Sequence, residues 1–270
     1  MMCAITIQRN AREFLNSRNP EKSLHEAHMK ARQPLIDRLH SIIKFHLQWA
    51  QRDTLRKMRE ITPWEPWQAN AKDDGSHVIF DQKDFAESLM SAVSREYAGI
   101  LDDAGTQLFE ELGEGEAPES GFTLPGDDVK RFIAGRQNFL AGASQEIWDE
   151  VRAAYLQGRE EGDSRNELAD RIKKAFAGIE DGRARTIAST ETAAAYGYAR
   201  HQGLLQAPTI KSKRWLCAFD NSRAAHIEAH GQTVPIGEPF TVMGEELMYP
   251  GDESGSPENV INCHCIELAA

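Results

Sequence analysis

The sequence predicts an α+β protein, with a mostly helical N-terminal half followed by a compact mixed α/β C-terminal domain. Three observations predict it. Apolar residues recur at three- and four-residue steps through most of the chain up to Leu205. Beyond Pro208 the pattern shortens to brief alternating runs separated by Gly and Pro, as strands and turns require. Within the helical regime lies GEGEAPESGFTLPGD, Gly113 to Asp127, where no apolar period survives and a linker is expected. The boundary places a helical region at 1–125 and the mixed domain at 126–270.

Taken in order, residues 1 to 20 lack periodicity and read as an irregular arm. A helix is expected from Ser23 to Ile61, with Leu35, Leu39, Ile42, His46 and Trp49 as its apolar stripe and Pro34 beginning or kinking it. His25, His28, His40 and His46 read as packing or surface residues rather than ligands. Thr62-Pro63-Trp64-Glu65-Pro66-Trp67 breaks the helix, its tryptophans either pinning a turn to an apolar surface, the favoured reading, or meeting a partner. A second helix follows a loop at Asp73-Asp74-Gly75, from Asp84 to Leu112, burying Phe85, Leu89, Ala92 and Tyr97. A third runs from Val129 to Gly158 with Phe132, Phe139, Ile147, Val151 and Tyr155, where Gly135 and Gly142 are candidate interruptions. Ser164-Arg165-Asn166-Glu167 is a capping box opening a helix to Phe176.

The helix Arg185–Leu205 comes next. Ile187, Ala194, Tyr198 and Leu205 fall in one stripe, and Glu191 falls inside it. A carboxylate on a buried face needs a donor, because an unpaired buried charge is expensive. Arg185, Arg223 and His226 are the candidate donors. A strand then spans Lys213–Phe219, with Asp220, Asn221 and Ser222 ending it and capping a following helical turn. Asp220, Arg223 and His226 stand three apart, and His226 and His230 share a face. Short strands and turns follow at Thr233-Val234-Pro235, Phe240-Thr241-Val242 and Met248-Tyr249-Pro250-Gly251-Asp252. The last strand is expected at Asn259 to Leu268, with Cys263 and Cys265 on one side of it.

Composition sets outer limits. The 270 residues suffice for one large or two ordinary domains. A formal net charge of -11 repels nucleic acid in bulk, so DNA contact has only the short run Lys211, Lys213 and Arg214 to support it. Four cysteines, Cys3, Cys217, Cys263 and Cys265, do not form a disulfide framework of the secreted kind. The opening residues lack an apolar run with a cleavage site, and no stretch approaches the roughly 20 apolar residues that a bilayer requires. Synthesis in a reducing cytoplasm without membrane association is expected.

Three stretches in order carry a resemblance. They are Ile187-Ala188-Ser189-Thr190-Glu191-Thr192, then W-x4-D-x2-R-x2-H-x4-G at Trp215, Asp220, Arg223, His226 and Gly231, then Asn262, Cys263 and Cys265. Over 148–268 the chain resembles the phage Mu F-like minor head protein family, or phage head morphogenesis domain. That resemblance implies a structural minor head protein of a tailed phage or prophage. Its partners would be the portal protein and capsid or scaffold proteins. It would reside in the host cytoplasm during assembly and in the virion head afterwards. The resemblance also implies a fold likened to ADP-ribosyltransferases.

Four chemical readings follow for these residues. In the structural one, Arg185, Glu191, Asp220, Arg223, His226 and Asn262 form a buried polar network with no catalytic residue. In the metal one, His226 and His230 on a helix with Cys263 and Cys265 on a strand offer two nitrogens and two sulfurs to zinc. Its plain counterpart is a reduced cysteine pair beside a histidine bonded to Asp220. The enzymatic alternative is an ADP-ribosyltransferase-like transferase or a hydrolase using the Glu191/Arg223/His226 cluster. The E-x-E such transferases use occurs only at Glu114-Gly115-Glu116, in the linker. A hydrolase would pair Cys217 or Cys263 with His226 and Asp220, although no nucleophile elbow accompanies them. The structural reading leads.

Overall fold

The structure is a computed structural model, and it describes residues 19–61, 75–113, 115–219 and 222–270. Residues 1–18 of the expected N-terminal arm, the Thr62–Trp67 turn, the Asp73-Asp74 part of the next loop, Glu114, Asp220 and Asn221 lie outside the described residues. The elements run α1 (Pro20–Glu60), α2 (Ser76–Ile79), α3 (Gln82–Leu112), α4 (Gly126–Glu161) and α5 (Arg165–Gln206). There follow β1 (Ser212–Leu216), α6 (Ala224–Glu228), β2 (Thr233–Pro235), β3 (Phe240–Val242), β4 (Glu245–Leu247), α7 (Pro257–Val260) and β5 (Ile266–Ala269). The α+β class holds, with long helices first and small antiparallel sheets after them.

Several local expectations are corrected. The helix α1 continues across Pro34, giving up the bond that the missing N–H would have donated to the Lys30 carbonyl. Its buried stripe is Ile36, Leu39, Ile43, Leu47, Ala50, Thr54 and Met58, which keeps the expected Leu39 and elsewhere lies one position along from the expected one, and Trp49 is exposed. Adjacent apolar pairs such as Leu35-Ile36 and Ile42-Ile43 made both stripes compatible with the spacing. The capping box forms: the Ser164 N–H donates to Glu167 Oε2 at 2.8 Å, and the Glu167 N–H donates to Ser164 Oγ at 3.4 Å. The helix it opens does not stop at Phe176, however. It runs 42 residues to Gln206, through Gly178 and Gly182. Burial of Phe176, Ile179, Ala184 and Ile187 outweighs the cost of about 1 kcal/mol that each glycine imposes on a helix.

The chain forms two compact units, neither contiguous in sequence. Unit 1 takes the described residues within 1–38, 95–135 and 188–270; unit 2 takes those within 39–94 and 136–187. Unit 2 is helical and its core is aromatic and aliphatic. Phe80 stacks on Trp148 with centroids 5.3 Å apart, and lies 5.4 Å from Phe85 and 6.2 Å from Phe176. Ile43, Leu47, Leu89, Ile147, Val151, Leu168 and Ile172 are buried with them.

Unit 1 holds every strand of the described residues. One sheet has the order β2-β1-β5, antiparallel throughout, and β3 pairs with β4 in a separate ribbon. Trp215, Cys217, Ala229, Phe240, Val242, Leu247, Cys263 and Cys265 pack as one core, with Trp215 edge-on to Phe240 at 5.3 Å. The part of α5 from Ala188 to His201 is buried all round rather than along one stripe. Two glycines make this closeness feasible. A Cβ on Gly197 would collide with the Pro250 carbonyl oxygen, and Gly251, at φ +88, lies against the Ala194 backbone.

Candidate functional site

The site is assembled in unit 1 from α6, the segment before β5, and the turn at α7. After β1 the chain turns and Ser222 Oγ donates back to the Ala218 carbonyl, so that Arg223 rather than Ser222 is the residue preceding α6. His226 lies on the inner face of this single turn of helix, with Trp215 edge-on to its ring at 5.9 Å. His226 Nδ1 is 3.3 Å from Cys265 Sγ and 3.8 Å from Cys263 Sγ. Its Nε2 is 3.3 Å from Asn259 Oδ1. Asn259 in turn donates through Nδ2 to the Val242 carbonyl at 3.2 Å and to Glu245 Oε2 at 2.8 Å. All four side chains are buried.

The cysteines precede β5 instead of lying on it. Residues 257–260 form the short helix α7, and Asn262 takes a left-handed conformation at φ 52, so the extended run starts only at Ile266. The two sulfurs nonetheless converge on one ring nitrogen. A hydrogen bond with Cys265 holds the Cys263 thiol well below its usual range, and the same bond pushes Cys265 well above it. Burial raises the Cys217 thiol.

The other expected residues divide. Glu191 is fully buried, and the Tyr97 hydroxyl of α3 donates to its Oε2; this donor was not among the sequence candidates. Of those candidates, Arg223 donates to the Ile261 carbonyl, and His226 faces the cysteines and Asn259. Arg185 is exposed, six positions and about 240° round the helix from Glu191. Asn262 is exposed too, and contributes through its backbone, its N–H donating to Thr190 Oγ1 at 3.0 Å. His230 does not join the group. The helix α6 ends at Glu228, so no shared face extends to position 230. There the ring receives the Cys217 N–H at Nδ1, 3.4 Å away, and its Nε2 meets Glu21 at 3.2 Å. Among the described residues His226, Cys263 and Cys265 are the group able to hold a metal ion, their donor atoms all within 4.8 Å of one another.

Sequence reasoning missed a second buried network in the same unit. Arg200 pairs with Glu111 at 2.8 Å, and Glu111 lies 3.6 Å from His28, whose Nδ1 is 2.8 Å from the Tyr196 hydroxyl. Burial lowers His28 to about 4 and pushes the Tyr196 hydroxyl well above its usual range. Although burial works against it, Arg200 and then His28 hold Glu111 below the usual carboxylate range. Nearby, His201 Nδ1 is 2.9 Å from Glu267 Oε1, and Lys213 lies 3.8 Å from the same carboxylate. The available signal was the i, i+4 pair Tyr196 and Arg200 on a helix otherwise rich in alanine; nothing local pointed to Glu111 or His28.

Residues 149–267 match the family described as Phage Mu protein F like protein. Over 195 residues the chain is 28% identical to the uncharacterized protein YqbB of Bacillus subtilis (strain 168), an overlap covering 70% of this chain and 64% of that protein. The chain thus spans just under two thirds of that relative's length. No solved structure matches.

Proposed function

We propose, from the match of residues 149–267 to phage Mu protein F-like proteins, that this chain is a minor head protein of a tailed phage or prophage. In this reading it associates with the portal during head assembly in the host cytoplasm, meets capsid or scaffold proteins, and stays in the virion. The observation that carries it is the match, together with the way its motif residues pack. Trp215, His226, Cys263 and Cys265 lie in the core of unit 1, with Thr190 receiving the Asn262 N–H, so the motif specifies an architecture. By the same reading, the 126–270 region supplies the head-morphogenesis domain and the helices before it supply attachment. No helix among the described residues is long and apolar enough to cross a membrane.

Removing residues 1–112 would be a poor test of attachment, because Tyr97, Phe85 and Leu89 belong to the cores. Surface substitution is better. Phe45 and Trp49, 59% and 42% exposed and four residues apart on α1, offer an apolar contact patch. Co-expressed with the portal and capsid proteins of its own phage, the full chain should copurify with portal and enter particles, and Phe45→Ser/Trp49→Ser should lower its incorporation. Particles assembling with no copy of the wild-type chain would refute the proposal. The transferase alternative requires Glu191 to meet a nucleotide, yet that carboxylate is 0% exposed and engaged by Tyr97. Incubation with labelled NAD is expected to leave the chain and its partners unlabelled.

A further inference from the structure

We infer that His226, Cys263 and Cys265 bind a structural zinc ion through one nitrogen and two thiolates, closing the C-terminal segment onto α6. The inference is independent of the head-assembly reading.

Asn259 uses its amide N–H groups on two acceptors, the Val242 carbonyl and Glu245 Oε2, which fixes the amide and leaves Oδ1 directed at His226 Nε2. An oxygen acceptor there requires the proton on Nε2. The bare lone pair of the ring is therefore on Nδ1, the atom facing both sulfurs. This is the outer-shell arrangement that metal-ligating histidines use to set their tautomer.

The distances are those of a tetrahedral edge. Zn–S near 2.3 Å and Zn–N near 2.0–2.1 Å at a tetrahedral angle place sulfur and nitrogen about 3.6 Å apart. The observed separations, 3.3 and 3.8 Å, bracket that value. A thiol–imidazole hydrogen bond engages the one lone pair of Nδ1 with a single sulfur and leaves the second sulfur only the bond between the two thiols. A cation at the centre of the triangle serves all three donors.

Charge and surroundings agree. Two thiolates cancel the dication, so the loaded site buries no net charge. Cys263 and Cys265 are 1% and 5% exposed within the core of Trp215, Phe240, Val242 and Leu247, which shields the sulfurs from oxidants. The same burial argues against a Cys265–His226–Asn259 hydrolytic relay, since a substrate carbonyl has no approach to Cys265. Three protein donors leave the fourth tetrahedral position to water.

The test uses the full chain, purified without a metal-affinity step from cells supplied with zinc, and measures metal by mass spectrometry. One zinc per chain is expected. It should be lost in Cys263→Ser and in Cys265→Ser and retained in His230→Gln and Cys217→Ser. Cobalt exchanged into the wild-type chain should give a sulfur-to-metal charge-transfer band in the near ultraviolet, a readout that needs no variant to fold. Three results would each overturn the site. They are a metal-free chain whose Cys263 and Cys265 titrate as free thiols, a Cys263–Cys265 disulfide, and a cobalt spectrum without the charge-transfer band.

Discussion

In unit 2 most buried side chains are those a helix can place by spacing, such as Leu39, Ile43, Leu47, Phe85, Leu89, Ile147 and Val151, and Arg136 is its one buried charge among the described residues. Unit 1 buries His28, Arg32, Glu191, Arg200, His201, Lys213, His226 and Glu267 as well. A helical apolar core tolerates small displacements, because dispersion and burial are non-directional. Buried charges tolerate few, since each depends on a particular donor or acceptor at short range. The contrast accords with the glycines pressed against backbone at 197 and 251 and the left-handed Asn262, all of which lie in unit 1.

Substitutions can break that contrast. Glu267→Ala, in unit 1, leaves Lys213 and His201 without their carboxylate and should cost about 4 kcal/mol, read from urea unfolding. Glu267→Gln should recover part of the loss by keeping an acceptor. Acid should act on unit 1 through His28, whose folded value is about 4 against an unfolded 6.5. The unfolded chain takes up the proton first, so stability is complete above pH 6.5 and declines as pH falls toward about 4. The shift corresponds to about 3 kcal/mol, and a pH series of calorimetric scans should show a shallower decline in His28→Gln. Leu89→Ala, in unit 2, should cost about 3 kcal/mol without introducing a pH dependence, which the same scans would register. The smallest effect belongs to Ser164→Ala, about 1 kcal/mol from the loss of a helix cap.

The same contrast decided what was legible in the sequence. Periodicity located the long helices of both units, because burial on a helix follows a repeat that composition reveals. It misplaced the stripe of α1, where neighbouring Leu and Ile residues satisfied two phases at once. The helix expected to stop at Phe176 runs on to Gln206, because packing outweighs the cost of Gly178 and Gly182. In the candidate site, the convergence of His226 with Cys263 and Cys265 could be imagined from motif order, whereas Tyr97 as the donor to Glu191 could not, since 94 residues separate them and no local pattern links them. His230 looked like a partner of His226 only on the assumption that α6 extends beyond its actual five residues. Asn259, which orients the ring, carried no signal beyond its nearness to the cysteines.

The sheet of unit 1 has a further consequence for how other chains can approach it. Trp215 exchanges its backbone bonds with residues 231 and 232, so the opposing Glu267 on β5 turns its own backbone groups outward. An outward-facing ladder is ordinarily a template for a strand from another molecule. Here Arg200 reaches across and donates to the Glu267 carbonyl at 3.3 Å. At the opposite border β2 is three residues long and ends in Pro235, which has no N–H to offer. With a guanidinium on the Glu267 carbonyl at one rim and an imino acid at the other, strand addition to this sheet is disfavoured, which shifts recognition by a neighbouring chain toward side chains.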